Sequence, residues 1–188
     1  MDDKIVEEIK NFVENECKKT TSHYGYEPFV FHFIPMVNYA QQLAIKFNAD
    51  MEIILISAWL HDIGSIVNGR EDHHINGAKI AEEKLKELSY PLDKIELVKK
   101  CILNHRGSTN FKRESIEEQI IAEADILSNF ENISGIFKAA FVYENLNQKE
   151  ASKAVFEKLT RKFNQLQFEE SKKLVQEKYK AVEILFKE

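Results

Sequence analysis

Four side chains of the types that bind divalent metals lie in apolar segments of this 188-residue sequence. They are His32 in FHFIPMVNYA, the adjacent His61 and Asp62 at the end of MEIILISAWLHDIG, and Asp125 in IIAEADILSNF. An unpaired charge is costly in apolar surroundings, so each of these groups needs a partner. A hydrolytic metal site takes several nitrogen and oxygen ligands from separate elements and keeps one coordination position open for water. The four side chains together therefore predict a divalent-metal site.

The His61-Asp62 pair is weak evidence when it is taken alone. Adjacent side chains on a regular helix point about 100° apart, so both reach one ion only where the backbone turns at a helix end. An isolated pair of this kind is more typical of a polar cap at the end of a helix. His32 and Asp125, in two other apolar segments, shift the balance towards metal binding.

The order His32, then His61-Asp62, then Asp125 resembles the signature of the HD superfamily of metal-dependent phosphohydrolases. The central pair begins the tetrapeptide HDIG, as in one group of family members. HHINGAKIAEEKL and LNHRG are similar to the segments that carry two further family histidines. The resemblance covers about half the chain, roughly 32–130, and the combination is more specific than any one piece.

The resemblance implies an all-α fold, a helical bundle of the HD-domain type with additional C-terminal helices. It also implies a divalent metal ion bound by His32, His61, Asp62 and Asp125. Mixed histidine and carboxylate ligation suits several metals, so Mn, Mg, Co, Ni, Zn and Fe all stay open. The number of ions, one or two, stays open as well.

Two further histidines match positions that hold a second metal in some family members and substrate phosphate in others. These are His73 and His105, which together with Asp62 form the expected catalytic group. His73 is favoured over His74 because its four-residue distance from Gly77 fits the family pattern better. The alternative for His74 is a solvent-facing residue at the N-terminus of a helix.

A divalent ion held in this way lowers the pKa of bound water, so that hydroxide becomes available near neutral pH. A phosphoryl group docked on the same ion, and on the two histidines or on Arg70 or Arg106, would have its charge neutralised during attack. The remaining candidates are Glu71, Asp72 and Glu123 as a general base, and Lys79 and Lys112 at the rim, the two lysines being more typical of a solvated surface.

This chemistry predicts a metal-dependent phosphohydrolase that cleaves a phosphoester or phosphoanhydride bond of a nucleotide or another small phosphorylated metabolite. Nucleotidase, phosphodiesterase and pyrophosphatase types stay open, because Ser65 stands where many HDIG phosphodiesterases carry Lys and no GYP follows. One alternative is an HD-fold di-iron oxygenase, for which His73 and His105 would help to complete a second metal site. Another is a non-catalytic module that binds metal and ligand.

Charge and composition argue against several other classes of protein. A net charge of −5 and a pI near 5.8 disfavour a partner such as long nucleic acid. No apolar run approaches the roughly 20 residues of a membrane helix, and the acidic N-terminus lacks the cationic start of a signal peptide. We therefore expect a cytoplasmic protein without membrane contact. Cys17 and Cys101 fit no metal-binding pattern and are expected to be reduced thiols, a disulfide being the alternative.

Helical periodicity predicts a single all-helical domain over 1–188, with the motif core at about 28–130 and the C-terminal helices 131–188 packed on it. The apolar run after Asp50 predicts a buried central helix, and SIVNGREDHH predicts a loop. Pro35 predicts either a kink or the true start of the second helix. The aromatic-rich C-terminal helices are expected to be core, with a homodimer surface as a further candidate. The other expected helices span about 2–19, 74–88, 92–104 and 115–130, with joints near Asn147 and Gln167.

Overall fold

A computed structural model describes residues 3–106 and 112–186, and within these ranges the chain is helical with no strand. The α-helices in these ranges are α1 (Asp3–Lys18), α2 (Ile34–Phe47), α3 (Met51–Leu60), α4 (Ile63–Asn68), α5 (His73–Glu87), α6 (Leu92–Asn104), α7 (Ile116–Asn129), α8 (Ile133–Lys138), α9 (Gln148–Gln165) and α10 (Glu169–Phe186). Two π-helical turns complete the order, Phe29–Phe33 before α2 and Ala139–Tyr143 after α8. The all-α prediction is confirmed.

Helix α3 forms the centre of the fold. Every residue from Glu52 to Leu60 is buried, and the helix packs against α1, α2, α6 and α7. It begins at Asp50, whose carboxylate accepts the backbone N–H groups of Glu52 at 3.0 Å and Ile53 at 3.2 Å. The predicted central helix is confirmed. A helix packed on all sides in this way holds the residues that follow its C-terminal end in a rigid position.

The segment before α2 combines the two alternatives predicted for Pro35, which were a kink and the true start of the second helix. The chain is already helical at Phe29, but in a π-helical turn in which the N–H of Ile34 reaches back to the carbonyl of Phe29. α2 then begins at Ile34, with Pro35 in its first turn, where a missing N–H is tolerated. Single π-turns are frequent at functional sites, and this one carries His32.

The loop predicted for SIVNGREDHH is too long, because α4 continues to Asn68 and α5 begins at His73, which leaves only 69–72 outside the helices. The turn signal at Asn68-Gly69 ends this helix, with Gly69 at φ +86. The apolar side of the helix, with Ile63 and Ile66, is buried. α4 approaches α5 at backbone distance. A Cβ on Gly64 would lie 2.1 Å from the carbonyl oxygen of His73, so only glycine fits this contact.

The C-terminal helices pack onto the end of the bundle, α9 against α7 and α8 and α10 against α7 and α9. The joints lie where the sequence predicts them. Asn147 starts α9 with a reciprocal capping box to Glu150, and the break between α9 and α10 lies at 166–168. Glu123 of α7 fastens this break, since its buried carboxylate accepts the N–H groups of Gln167 at 2.8 Å and Phe168 at 3.0 Å.

None of the helices in the described part of the chain is both long and apolar enough to cross a membrane. Cys17 and Cys101 are free thiols in the bundle interior. Burial raises the pKa of each to about 12, so both stay protonated and unreactive near neutral pH.

Candidate metal centre and active-site pocket

Four imidazoles converge beyond the C-terminal end of α3, each from a different element. His61 directly follows α3, His32 lies in the π-turn before α2, His73 is the first residue of α5, and His105 directly follows α6. The Nε2 atoms of His32 and His61 are 3.0 Å apart. The ring of His105 stands edge to face against those of His61 and His73, with centroids 5.3 and 5.4 Å apart.

Three of these rings are oriented by backbone carbonyl groups. Each Nδ1–H donates to the carbonyl three residues earlier, from His61 to Ala58 at 2.8 Å, from His73 to Arg70 at 2.8 Å and from His105 to Ile102 at 2.6 Å. A neutral ring that donates from Nδ1 has its lone pair on Nε2. All three therefore present Nε2 to the shared space, which is the arrangement that second-shell contacts give to metal-binding histidines.

The fourth ring is oriented by a side chain. Ser128 Oγ donates its single hydrogen to the carbonyl of Asp125 at 2.8 Å, so it accepts the Nδ1–H of His32 at 2.9 Å. His32 thus also presents Nε2. Two Nε2 lone pairs 3.0 Å apart repel each other, and a cation shared by them removes that repulsion.

The carboxylate of Asp62 lies between two pairs of imidazoles. Its Oδ2 is 3.5 Å from His32 Nε2 and 3.8 Å from His61 Nε2, whereas its Oδ1 is 3.4 Å from His73 Nε2 and 3.7 Å from His105 Nε2. Two potential metal-binding groups of three residues therefore share this one carboxylate.

Asp125 of α7 faces a lysine and also His32, which belongs to the group of His32, His61 and Asp62. Its Oδ1 is 3.7 Å from His32 Nε2, and its Oδ2 accepts a hydrogen bond from Lys162 Nζ of α9 at 2.8 Å. Lys162 therefore holds one oxygen of this carboxylate, and the other oxygen stays available on the side of the imidazoles.

The protonation states suit metal binding. Burial lowers the pKa of His61 to about 4 and also lowers that of His105, so both imidazoles are neutral near pH 7. Burial would raise the pKa of Asp62, but the positive charge that the neighbouring imidazoles, led by His61, carry in their protonated forms holds this pKa well below its usual range. Burial is likewise outweighed at Asp125, where the Lys162 ammonium lowers the carboxyl pKa. Neutral imidazoles and ionised carboxylates are the forms that bind metal.

The donor set therefore fits a divalent cation. Nitrogen and carboxylate ligands come from separate, rigid elements, and their tautomers and charges are those that a metal requires. Mixed ligation of this kind does not select one metal, since Mn, Fe, Co, Ni and Zn all accept imidazole and carboxylate.

This group of residues forms one wall of a cleft of about 730 Å³, the size of a small-molecule site. Tyr24, Phe31 and Tyr143 contribute an aromatic part of the lining, and the rings of Tyr24 and Tyr143 meet edge to face at 5.3 Å. α9 closes another side with Lys158, Arg161 and Lys162.

Most of the other predicted site residues also have definite positions. Arg70 and Arg106 line the cleft, Arg70 being paired with Glu144 at 3.2 Å near the surface. His74 is neither in the cleft lining nor solvent-facing. It is buried, and its Nδ1 has no hydrogen-bond partner within the described ranges.

The remaining general-base and rim candidates lie outside the cleft. Glu71, Asp72, Lys79 and Lys112 are exposed on the surface. Glu123 is buried and occupied by backbone N–H groups at the start of α10, which is a structural role.

Sequence reasoning missed the contribution of α9, whose segment was expected to be core or a dimer surface. Its apolar side is indeed buried, at Val155 and Leu159, but the polar side lines the cleft. A signal was present, because Lys158, Arg161, Lys162 and Gln165 follow the i, i+3, i+4, i+7 spacing of one helical face. Nothing in the sequence indicates which surface that face meets.

The family model for the HD domain matches residues 30–129, more than half of the chain. The chain belongs to the HD-domain family. Membership supports a metal-dependent phosphohydrolase in general, as the order of the candidate ligands predicts. All four predicted metal ligands lie within the matched range.

A sequence relative of this HD-domain chain comes from Clostridium beijerinckii and has no assigned function. The two are 33% identical over 102 residues, which cover 52% of this chain and 62% of the relative, so the chain spans less than two thirds of that protein's length.

Two solved structures share the fold. An HD-superfamily hydrolase from Bacillus thuringiensis is 18% identical, with a TM-score of 0.75 over 98% of this chain and 94% of the other. Bacillus subtilis YpgQ, solved in complex with ADP, is 19% identical, with a TM-score of 0.69 over 93% of this chain and 90% of the other. Both likenesses cover the C-terminal helices as well as the HD core.

Proposed function

We propose that this protein is a metal-dependent phosphohydrolase that acts on a nucleotide or another small phosphorylated metabolite. The observation that carries the proposal is the convergence of four Nε2 lone pairs on the two oxygens of Asp62 in the wall of an open cleft. We also propose that 1–188 is a single HD-type unit, cytoplasmic as the sequence predicts.

His32, His61, Asp62 and Asp125 would hold the divalent ion. The bound ion would supply Lewis-acid activation of water and of the phosphoryl group. Asp62 directs one oxygen at each pair of imidazoles, so it fixes the relative position of the metal group and of His73 and His105.

His73 and His105 would act from the far side of Asp62, where their Nε2 lone pairs would bind a second ion that holds the phosphoryl group, or would take up a proton and donate it to a phosphoryl oxygen. Their Nε2 atoms lie 3.4 and 3.7 Å from Asp62 Oδ1, and both rings line the cleft. Arg106 lines the same part of the cleft and would add a fixed positive charge. Charge that develops on phosphoryl oxygens is stabilised best by preorganised positive groups of this kind.

A nucleotide is the substrate that the cleft favours. Its volume of about 730 Å³ exceeds what a phosphate needs, and the exposed rings of Phe31 and Tyr143 offer apolar surface for a base. The fold is also that of YpgQ, which was solved with ADP.

The experiment is a hydrolysis screen of nucleoside mono-, di- and triphosphates and cyclic nucleotides with Mn²⁺, Mg²⁺, Co²⁺ and Ni²⁺, in which phosphate and pyrophosphate release are measured separately. We expect turnover with at least one phosphoester, lost in the His61→Ala/Asp62→Ala variant. Turnover that survives in this variant, or none with any substrate and metal, would contradict the proposal.

A second candidate function is oxygenation by a di-iron centre. The observation in its favour is the second group of Asp62, His73 and His105, which could hold another ion next to the first. Two iron ions per chain and oxygen consumption would identify this activity. A non-catalytic metal-binding module would instead bind metal and ligand without turnover of either kind.

A further inference from the structure

We propose that the face of α9 formed by Lys158, Arg161 and Lys162 is a binding site for a chain of phosphates, so that the preferred substrate carries two or more phosphate groups. We call these three residues the basic face of α9. The inference rests on the proposed phosphohydrolase function, because the same cleft must hold the scissile phosphate.

The first support is the charge of the cleft compared with that of the chain. Among the residues that the structure describes, six basic side chains line the cleft against three carboxylates, an excess of three positive charges with histidines neutral, although the whole chain carries −5. The six are Arg70, Arg106, Lys138, Lys158, Arg161 and Lys162, and the three are Glu27, Asp62 and Asp125. A local reversal of sign of this size selects an anion with several charges.

The second support is Lys158, which is half-buried in the cleft wall. No carboxylate in the described ranges forms an ion pair with it, and its charged neighbours include Lys162 and Arg70. Burial, together with these two positive charges, lowers the pKa of Lys158 to about 8. A buried cation beside other cations is costly, and a bound anion offsets that cost.

The third support is the geometry of the face relative to the metal group. Lys162 Nζ touches Asp125 at 2.8 Å, so the basic face begins at the expected metal ligands. Lys158 lies one helical turn further along α9, about 6 Å along the axis. A single phosphate beside Asp125 would engage Lys162 and leave Lys158 without an anion, whereas a chain of phosphates engages both.

The rigidity of α9 suits such a site. The helix is capped at Asn147, buried along its apolar side, and packed against α7, α8 and α10. Its basic side chains are therefore held on a fixed support, which reduces the entropy lost when a ligand binds.

The test compares Lys158→Met with Lys153→Met in the full-length protein. Lys153 lies on the same helix with its side chain 74% exposed, so its substitution makes the same charge change outside the cleft. kcat/KM is measured for the mono-, di- and triphosphate of one nucleoside. Binding of inorganic tripolyphosphate is measured by calorimetry with all divalent metal chelated, so that this readout does not depend on turnover.

We expect the wild type to prefer the di- or triphosphate. We also expect Lys158→Met to lower kcat/KM for that substrate, and the affinity for tripolyphosphate, by roughly tenfold to a hundredfold, as for the loss of a hydrogen bond to a charged group. The monophosphate should be affected less than the longer substrates. Lys153→Met should match the wild type in every assay, and cooperative thermal unfolding of both variants confirms that they fold.

The two proposals can fail separately. Efficient hydrolysis of monophosphates, with tripolyphosphate binding equal in wild type and Lys158→Met, would overturn the phosphate-chain site and leave the phosphohydrolase in place. Lys158-dependent binding of tripolyphosphate by a protein that hydrolyses no phosphoester would support the site and overturn the enzyme. An equal loss for mono- and triphosphates in Lys158→Met would also overturn the inference.

Discussion

At the scale of single residues, the candidate metal centre depends on which ring nitrogen of each histidine has a lone pair available to bind a metal. Three rings are fixed by backbone carbonyls and the fourth by Ser128, so all four present Nε2. The residue types of His32, His61 and Asp125 were enough to predict a metal site, because charged groups in apolar helices need a partner. Their tautomers were not predictable, since the contact between Ser128 and His32 joins residues 96 positions apart.

Ser128→Ala tests this orientation. The variant removes the acceptor of the His32 Nδ1–H, so the ring is free to turn away, and we expect metal affinity to fall by roughly tenfold to a hundredfold. The measurement is competition for Mn²⁺ or Co²⁺ with a chelator of known affinity. Ser152→Ala, a serine of α9 outside the cleft lining, is the matched control. Equal affinities in the two variants would show that Ser128 does not orient His32.

A substitution of Glu123 tests whether this carboxylate has a structural role or acts as a general base. Glu123→Gln weakens the fastening of 167–168, so we expect a loss of about 1–3 kcal/mol in the free energy of unfolding with metal content unchanged. Denaturant unfolding and metal analysis check this expectation. A variant that keeps full stability but loses kcat would instead identify Glu123 as the base.

At the scale of elements, the site is assembled by helix ends and one close helix contact. His61 and His105 follow the C-terminal ends of α3 and α6, and His73 begins α5. The extent of α4 was not predictable from local signals, because Asn68-Gly69 is typical of a loop as well as of a helix end. The role of α9 was not predictable either, because its basic spacing fits a solvated surface equally well.

Gly64→Ala tests the contact between α4 and α5. The added methyl group would overlap the carbonyl of His73, so one helix must shift, and we expect a loss of about 1–3 kcal/mol in stability together with weaker metal binding. Gly77→Ala is the control on the facing helix, since its Cβ would meet its nearest neighbours at 3.4 Å. Comparable unfolding free energies for the two variants would contradict the close contact.

At the scale of the whole molecule, metal binding and folding should be coupled. The proposed ligands lie in the π-helical turn before α2, in the turn between α3 and α4, and in α7, and these segments come together only in the native bundle. An ion present at a hundred times its Kd should therefore stabilise the fold by about 2.7 kcal/mol. Thermal unfolding with and without a chelator measures this shift, and a midpoint independent of metal would show that the native state holds none.

The central claim is that His32, His61, Asp62 and Asp125 together bind one divalent ion. The most direct measurement is the affinity for Mn²⁺ of the wild type and of Asp125→Asn, which keeps the size of the side chain and removes its charge. We expect saturable binding by the wild type and a large loss of affinity in the variant, with hydrolysis lost in parallel. Equal Mn²⁺ affinity in the two proteins would contradict the claim.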